Sequence, residues 1–202
     1  MRVSSQPRSV QGIGVPCRVR GFTLVELMIT IAVAAILLMI AVPSFRNIMN
    51  SNRLTTAANT MVGALNTARM EAIKRNASTQ FCSDSSTNNT SDTLGAACST
   101  APSGGPGAVI VQTTTASSGA VPVLAATQGL ATPVQLSGSI TAIRFNGQGI
   151  GYKAGTTSAT GSTYTGPVAV LCVAGLSGNN RIKISMTTGT IITTTPAPGT
   201  CP

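Results

Sequence analysis

A single carboxylate in an otherwise apolar stretch is the first place in this chain where chemistry is expected. Glu26 lies within GFTLVELMITIAVAAILLMIAVPSF, residues 21–45, four positions after Phe22. A carboxylate near the middle of a membrane helix costs on the order of 2.5 to 3.5 kcal/mol, and less near an end, so Glu26 needs a partner. A cut between Gly21 and Phe22 would supply one. The α-amine left on Phe22 of a neighbouring copy would neutralise the acid in an apolar packing environment. The other reactive side chains are the five cysteines, at 17, 82, 98, 172 and 201. Cleavage would remove Cys17, and the even remainder in an oxidising compartment reads as disulfides. Three pairings are open. Local closure favours Cys82 with Cys98 and Cys172 with Cys201, each stabilising by roughly 3 to 4 kcal/mol in the loop-entropy account. A zinc site would want C-x-x-C spacing or histidine, and the chain has neither.

Catalysis finds little to work with. Histidine is absent, and the four acids, Glu26, Glu71, Asp84 and Asp92, include no pair spaced for acid–base work. No catalytic residue, cofactor or metal is expected, and the chain is read as a non-enzyme. The run from Asp84 to Asp92 is rich in oxygen ligands but lacks the turn glycine and closing glutamate of a helix-loop-helix calcium loop, so a loop under a disulfide is expected. Gly147-Gln148-Gly149-Ile150-Gly151 opens no helix and is read as a turn rather than a phosphate cradle.

The elements that must position these residues fall into four segments. Residues 1–21 carry Arg2, Arg8, Arg18 and Arg20 and no acid, which holds this end in the cytoplasm. Removing them takes the formal charge from +9 to +5. Phe22 to Val42, rising about 1.5 Å per residue, spans roughly 30 Å, so residues 22–43 form a transmembrane helix that leaves the rest of the chain across the membrane. This stretch is too long for a secretory signal and ends in Val42-Pro43-Ser44 instead of an A-x-A cleavage site. Pro43 predicts a kink. Over 44–76 the helix continues as an amphipathic one, with Leu54, Ala58, Met61, Leu65, Ala68 and Ala72 drawing one stripe to lie on a sheet and Asn76 as a left-handed stop. From 77 to 202 the composition turns to Thr, Ser, Gly, Val and Ile, which favours strands. Strands are expected at 78–82, 108–112 and 140–145, with a hairpin of 168–173 and 181–186; residues 83–107 and 113–120 are expected to be loops.

Gly21-Phe22-Thr23-Leu24-Val25-Glu26 resembles the prepilin peptidase site shared by type IV pilins and type II secretion pseudopilins, with cleavage after the glycine and methylation of the new amine. Arg53-Leu54, Ala68-Arg69 with Glu71-Ala72, Ile143-Arg144-Phe145 with Gly147, Leu171-Cys172 and Arg181-Ile182-Lys183-Ile184-Ser185 are similar to the FimT and GspH group of minor pilins and pseudopilins. The resemblance implies an α+β, type IV pilin-like fold, a long N-terminal helix packed on a small, mainly antiparallel β domain. It implies a processing site at Gly21 and Phe22, assembly roles for Glu26 and Pro43, and as partners prepilin peptidase, other pilins or pseudopilins, and the bacterial inner membrane before assembly into a pilus or pseudopilus. A FimT-like minor pilin is the leading expectation and a GspH-like pseudopilin the alternative. A third expectation is a filament-borne DNA-binding subunit. Family members that take up DNA carry Gly-Arg-any-Arg after the Arg-Ile-x-Ile-Ser stretch, and here that place reads Gly189-Thr190-Ile191-Ile192. Without those arginines, phosphate contacts fall to Arg181 and Lys183, two apart on one strand, with Arg144 and Lys153 nearby.

Overall fold

The computed structural model describes residues 21–100, 105–113, 119–126, 130, 132–156 and 161–202. The leader arginines, Cys17 and the middle of the 113–120 loop lie outside the described residues. The chain divides into two units, one ending at Val42 and one running from Pro43 to Pro202.

A helix, α1 (Leu24–Arg75), begins in the first unit and includes Pro43. Every described residue up to Val42 is exposed, and this part of α1 is long and apolar enough to cross a membrane.

In the second unit, Leu54, Ala58, Met61, Leu65, Ala68 and Ala72 are all buried, and Ala57 and Ala64 widen the stripe. Five of these eight are alanines, which lets the helix axis approach the sheets closely, while burying Leu54, Met61 and Leu65 contributes roughly 1.5 to 3 kcal/mol each. The helix stops as expected. Asn76 takes φ of 46°, its N–H donates to the Ile73 carbonyl at 3.2 Å, and the Ala77 N–H donates to the Ala72 carbonyl at 3.1 Å. This is the paired-bond C-terminus that asparagine tolerates next best to glycine.

Two antiparallel sheets cover the stripe. One comprises β1 (Thr79–Phe81), β2 (Val109–Gln112), β3 (Ala120–Leu124), β5 (Ile143–Phe145) and β6 (Gly151–Lys153) in the order β3-β2-β1-β5-β6. The other comprises β4 (Val134–Leu136), β7 (Gly166–Val173), β8 (Arg181–Thr187) and β9 (Ile191–Ala197) in the order β4-β7-β8-β9. Phe81, Ile143 and Phe145 from the first sheet and Leu171, Ile184 and Met186 from the second share one core with the helix. The α+β organisation, the helix on its sheets and the β7–β8 hairpin match the sequence expectation.

The expected strand over 140–145 is shorter, because the chain there changes sheets. The Ser137 and Thr141 N–H groups donate to Val170 and Val168 of β7, after which the Ala142 carbonyl accepts from Ala154 beside β6. The expected loop over 83–107 contains two short helices, α2 (Ser86–Asn89) and α3 (Thr93–Cys98). Asp92 caps α3 by accepting from the Gly95 N–H at 3.0 Å, and only glycine fits at 95, where a Cβ would lie 1.9 Å from the Asn89 carbonyl oxygen.

A ring of backbone bonds joins the two sheets. The Gly151 N–H donates to Gly189 at 2.8 Å, the Gly189 N–H to Tyr164 at 2.8 Å, and the Tyr164 N–H to Gly151 at 2.9 Å. Arg69 adds the helix to this junction by donating to the Thr190 carbonyl at 3.0 Å. Gly189 has φ of 68°, and a Cβ on it would lie 2.5 Å from the Gly151 carbonyl oxygen. Gly189→Val is expected to destabilise the detergent-solubilised chain by about 3 kcal/mol in urea unfolding, combining left-handed strain with the clash. Gly175→Ala, with similar φ but open space around it, is expected to cost only about 1 kcal/mol. Equal effects of the two would refute the junction.

Candidate functional site

The residues with candidate roles divide between the start of α1 and the β domain. Gly21, Phe22 and Thr23 precede the helix, and nothing lies within 4 Å of where a Gly21 side chain would be. The Gly21–Phe22 bond is thus presented in exposed, non-helical chain, the form in which a peptidase can take it. The Thr23 hydroxyl accepts from the Glu26 N–H at 3.2 Å, and the Thr23 carbonyl accepts from the Leu27 N–H at 3.1 Å. Thr23 is therefore the N-cap and Glu26 the third helical residue, the Thr-x-x-Glu spacing of a capping box, with Phe22 and Leu27 at the positions of a hydrophobic staple. Sequence reasoning gave Glu26 a partner on another chain and overlooked Thr23, although its signal, a hydroxyl residue three before a glutamate ahead of an apolar run, stands in plain view. The acid also meets the positive end of the helix dipole here. Pro43 lies inside α1, well past this first turn.

The four remaining cysteines pair as local closure favours. Cys82 joins Cys98 with 5.6 Å between Cα atoms, and Cys172 joins Cys201 with 5.8 Å. The first bridge, with Leu94, Ala108 and Ile110, forms a small second core under α3. The second ties the segment after β9 back to β7.

The three cations are divided between the two sheets. Arg144 lies on β5 in the five-stranded sheet, whereas Arg181 and Lys183 lie on β8 in the other. Its guanidinium is held by Asp92 through two bonds, Nη1 to Oδ2 at 2.6 Å and Nη2 to Oδ1 at 2.9 Å, and Nη2 also donates to the buried Gln80. Gln80 donates in turn to the Asn89 carbonyl at 2.9 Å, and Asn89 accepts from the Ser83 N–H at 2.7 Å. Asp84 accepts from the Ile140 N–H at 2.7 Å. Asp84 and Asp92 thus fasten α2 and α3 to the sheet and are spoken for as ligands. The Arg144 hydrogen bonds are the main reason that the Asp92 carboxyl is held down at about 2. Arg181 donates to the Ser137 hydroxyl and packs against the Gly199 backbone, which leaves Lys183 as the exposed cation of the pair. At the position of the Gly-Arg-any-Arg motif, Gly189 and Thr190 are committed to the inter-sheet junction.

Among known families, the model of the type II transport protein GspH matches residues 57–190, and that of the prokaryotic N-terminal methylation motif matches residues 17–42. No curated protein and no solved structure matches the chain. The methylation motif implies processing by prepilin peptidase and assembly with other pilins or pseudopilins.

The Arg144–Asp92 pair makes stability depend on pH. A carboxyl lowered from 3.8 to about 2 stabilises the fold above the unfolded value and loses that contribution as pH falls from about 4 to about 2. Asp92→Asn keeps the cap but removes the charge. It is expected to cost about 1 kcal/mol near neutral pH, allowing for solvent screening of a half-exposed carboxylate, with the gap to wild type closing by pH 2 in thermal unfolding. A pH-independent gap would mean that the pair contributes nothing as an ion pair.

Proposed function

Because this chain belongs to the GspH family, with the N-terminal methylation motif of pilins and pseudopilins ahead of a membrane-length helix, we propose that it is a minor subunit of a type IV pilus, acting in pilus assembly or priming. In this reading it spans the inner membrane once, with its leader in the cytoplasm and residues from 44 onward in the periplasm. Prepilin peptidase cuts after Gly21 and the new Phe22 amine is methylated. The helix then leaves the bilayer for a bundle of like helices, in which Glu26 sets axial register against the amine of a neighbour.

The observation that carries this is the exposure of the first part of α1. Its apolar side chains, among them Phe22, Ile29, Leu37 and Met39, are exposed among the described residues, while the second unit has its own buried core from Leu54 onward. A helix apolar all round must be buried in lipid or in other helices. No enzymatic role is proposed. A DNA-receptor role loses two of the three cations expected to carry it, since Arg144 and Arg181 are both engaged.

The second reading is a pseudopilin of a type II secretion system, favoured by the description of the family whose model matches the chain. A photo-crosslinker at Gly63, which is exposed on α1 with nothing within 4 Å, separates the two. Capture of pilins supports the pilus, and capture of secretion pseudopilins supports the alternative. Gly21→Asp is expected to block processing, so a mature-sized band on an immunoblot would refute the cleavage site. Glu26→Ala is expected to leave processing and membrane insertion intact while sharply reducing the amount recovered in sheared filaments; undiminished recovery would remove the register role.

A further inference from the structure

The free face of α1 changes character several residues beyond the membrane-length segment. On a helix turning about 100° per residue, Phe45, Ile48 and Met49 share a stripe about 100° wide, on the side opposite Leu54, Ala58 and Met61. They are 64%, 56% and 39% exposed. Ile48 also borders a cleft shared with Asn52, Leu176 and Asn179, so the β domain reaches this stripe only at its edge. Further along the same stripe come Asn52, Thr56, Asn59, Gly63 and Asn66, all exposed and none of them large and apolar. The free face is thus apolar through Met49 and polar from Asn52 to Asn66, and large apolar side chains are exposed again only at Met70 and Ile73 in the last turns of the helix.

Arg46 and Arg53 lie two turns apart on one line beside the apolar stripe. Both are exposed, and neither makes an ion pair or side-chain hydrogen bond among the described residues. The three acids of this unit are all engaged, Glu71 with Arg75 and Lys74, Asp84 with the Ile140 N–H, and Asp92 with Arg144. No free acid competes for the two arginines.

We propose that residues 44–53 dock the domain onto an anionic phospholipid surface, with Phe45, Ile48 and Met49 entering the interface and Arg46 and Arg53 holding headgroup phosphates. The inference rests on the reading of residues 22–42 as a membrane span, which this segment directly continues in α1. From Pro43 to Met49 the helix rises about 9 Å, comparable to the roughly 5 to 8 Å of one headgroup layer. Phenylalanine and aliphatic side chains on one helix face with arginines beside them form the pattern of helices held at a membrane interface.

The chain contains no tryptophan, so Phe45→Trp supplies a sole reporter. The processed full chain is reconstituted in phosphatidylcholine vesicles with and without phosphatidylglycerol, using lipids brominated near the carbonyls as quenchers. Blue-shifted, quenched emission with phosphatidylglycerol is expected, with most of the quenching lost in the Arg46→Gln, Arg53→Gln variant. Thr56→Trp, about 16 Å further along, is expected to emit as if in water. Water-like emission from Phe45→Trp, or quenching indifferent to phosphatidylglycerol and to the two arginines, overturns the proposal. So does shielding of the reporter in phosphatidylcholine vesicles that rises with the protein-to-lipid ratio, which would make a second copy the occupant. Failure of the chain to float with vesicles would sink the membrane reading together with this one, whereas a floating chain with a water-like reporter refutes the docking alone.

Discussion

One continuous helix serves two solvents, and the rest of the molecule follows from that constraint. Its first part is apolar on every side and needs an apolar surround from elsewhere. Its second part presents apolar residues on one stripe only, rich in alanine, so that two sheets can close over it. The change from all-round to one-sided apolarity also divides the chain, with exposed apolar side chains in the first region and a self-sufficient core in the second. Glu26 fits this scheme because it stands in the first turn, where backbone N–H groups and the helix dipole already favour an acid.

The β domain achieves order with few charges and few aromatics by using backbone and crosslinks. The ring of N–H to carbonyl bonds among Gly151, Tyr164 and Gly189 brings the sheets to a separation that side chains would prevent. The segment over α2 and α3 is too polar to fold by burial. It is held by the Cys82–Cys98 bridge and by a chain of polar contacts from Asp92 through Arg144, Gln80 and Asn89 to Ser83. Such a network stabilises only when nearly every member is satisfied, which is the case here apart from Arg144 Nε.

Much of this was legible in the residues because local periodicity carries it. The alternation of three- and four-residue steps from Leu54 to Ala72 marks the buried stripe, Asn76 after two basic residues marks its end, and the valine- and isoleucine-rich runs mark β2, β7 and β8. What escaped was decided by partners far away in sequence or by elements too short to show a period. β4 and β6 have three residues each, and β9 is a threonine-rich edge strand exposed on both faces, with Pro196 near its end. α2 and α3 exist because of a cap, a glycine and a crosslink. The engagement of Arg144 could not be read at all, since Asp92 lies 52 residues away. Arg181 and Lys183 do share a face as strand alternation requires, but the Ser137 hydroxyl and the Gly199 backbone that occupy Arg181 come from other parts of the chain.

The order in which the strands enter the sheets also bears on how the molecule is made. Leu65 and its neighbours on α1 are synthesised roughly a hundred residues before Leu171, Ile184 and Met186, which cover them from the four-stranded sheet, a separation of the kind that slows folding. β4 belongs to that late sheet yet precedes β5 and β6 of the other, so the two sheets cannot be completed one after the other along the chain. A nascent chain emerging from its N-terminus therefore carries the alanine-rich stripe without its four-stranded cover until β7 and β8 arrive. For that interval the future core leaves apolar surface exposed in a chain that already carries an exposed apolar helix, the condition under which folding intermediates associate.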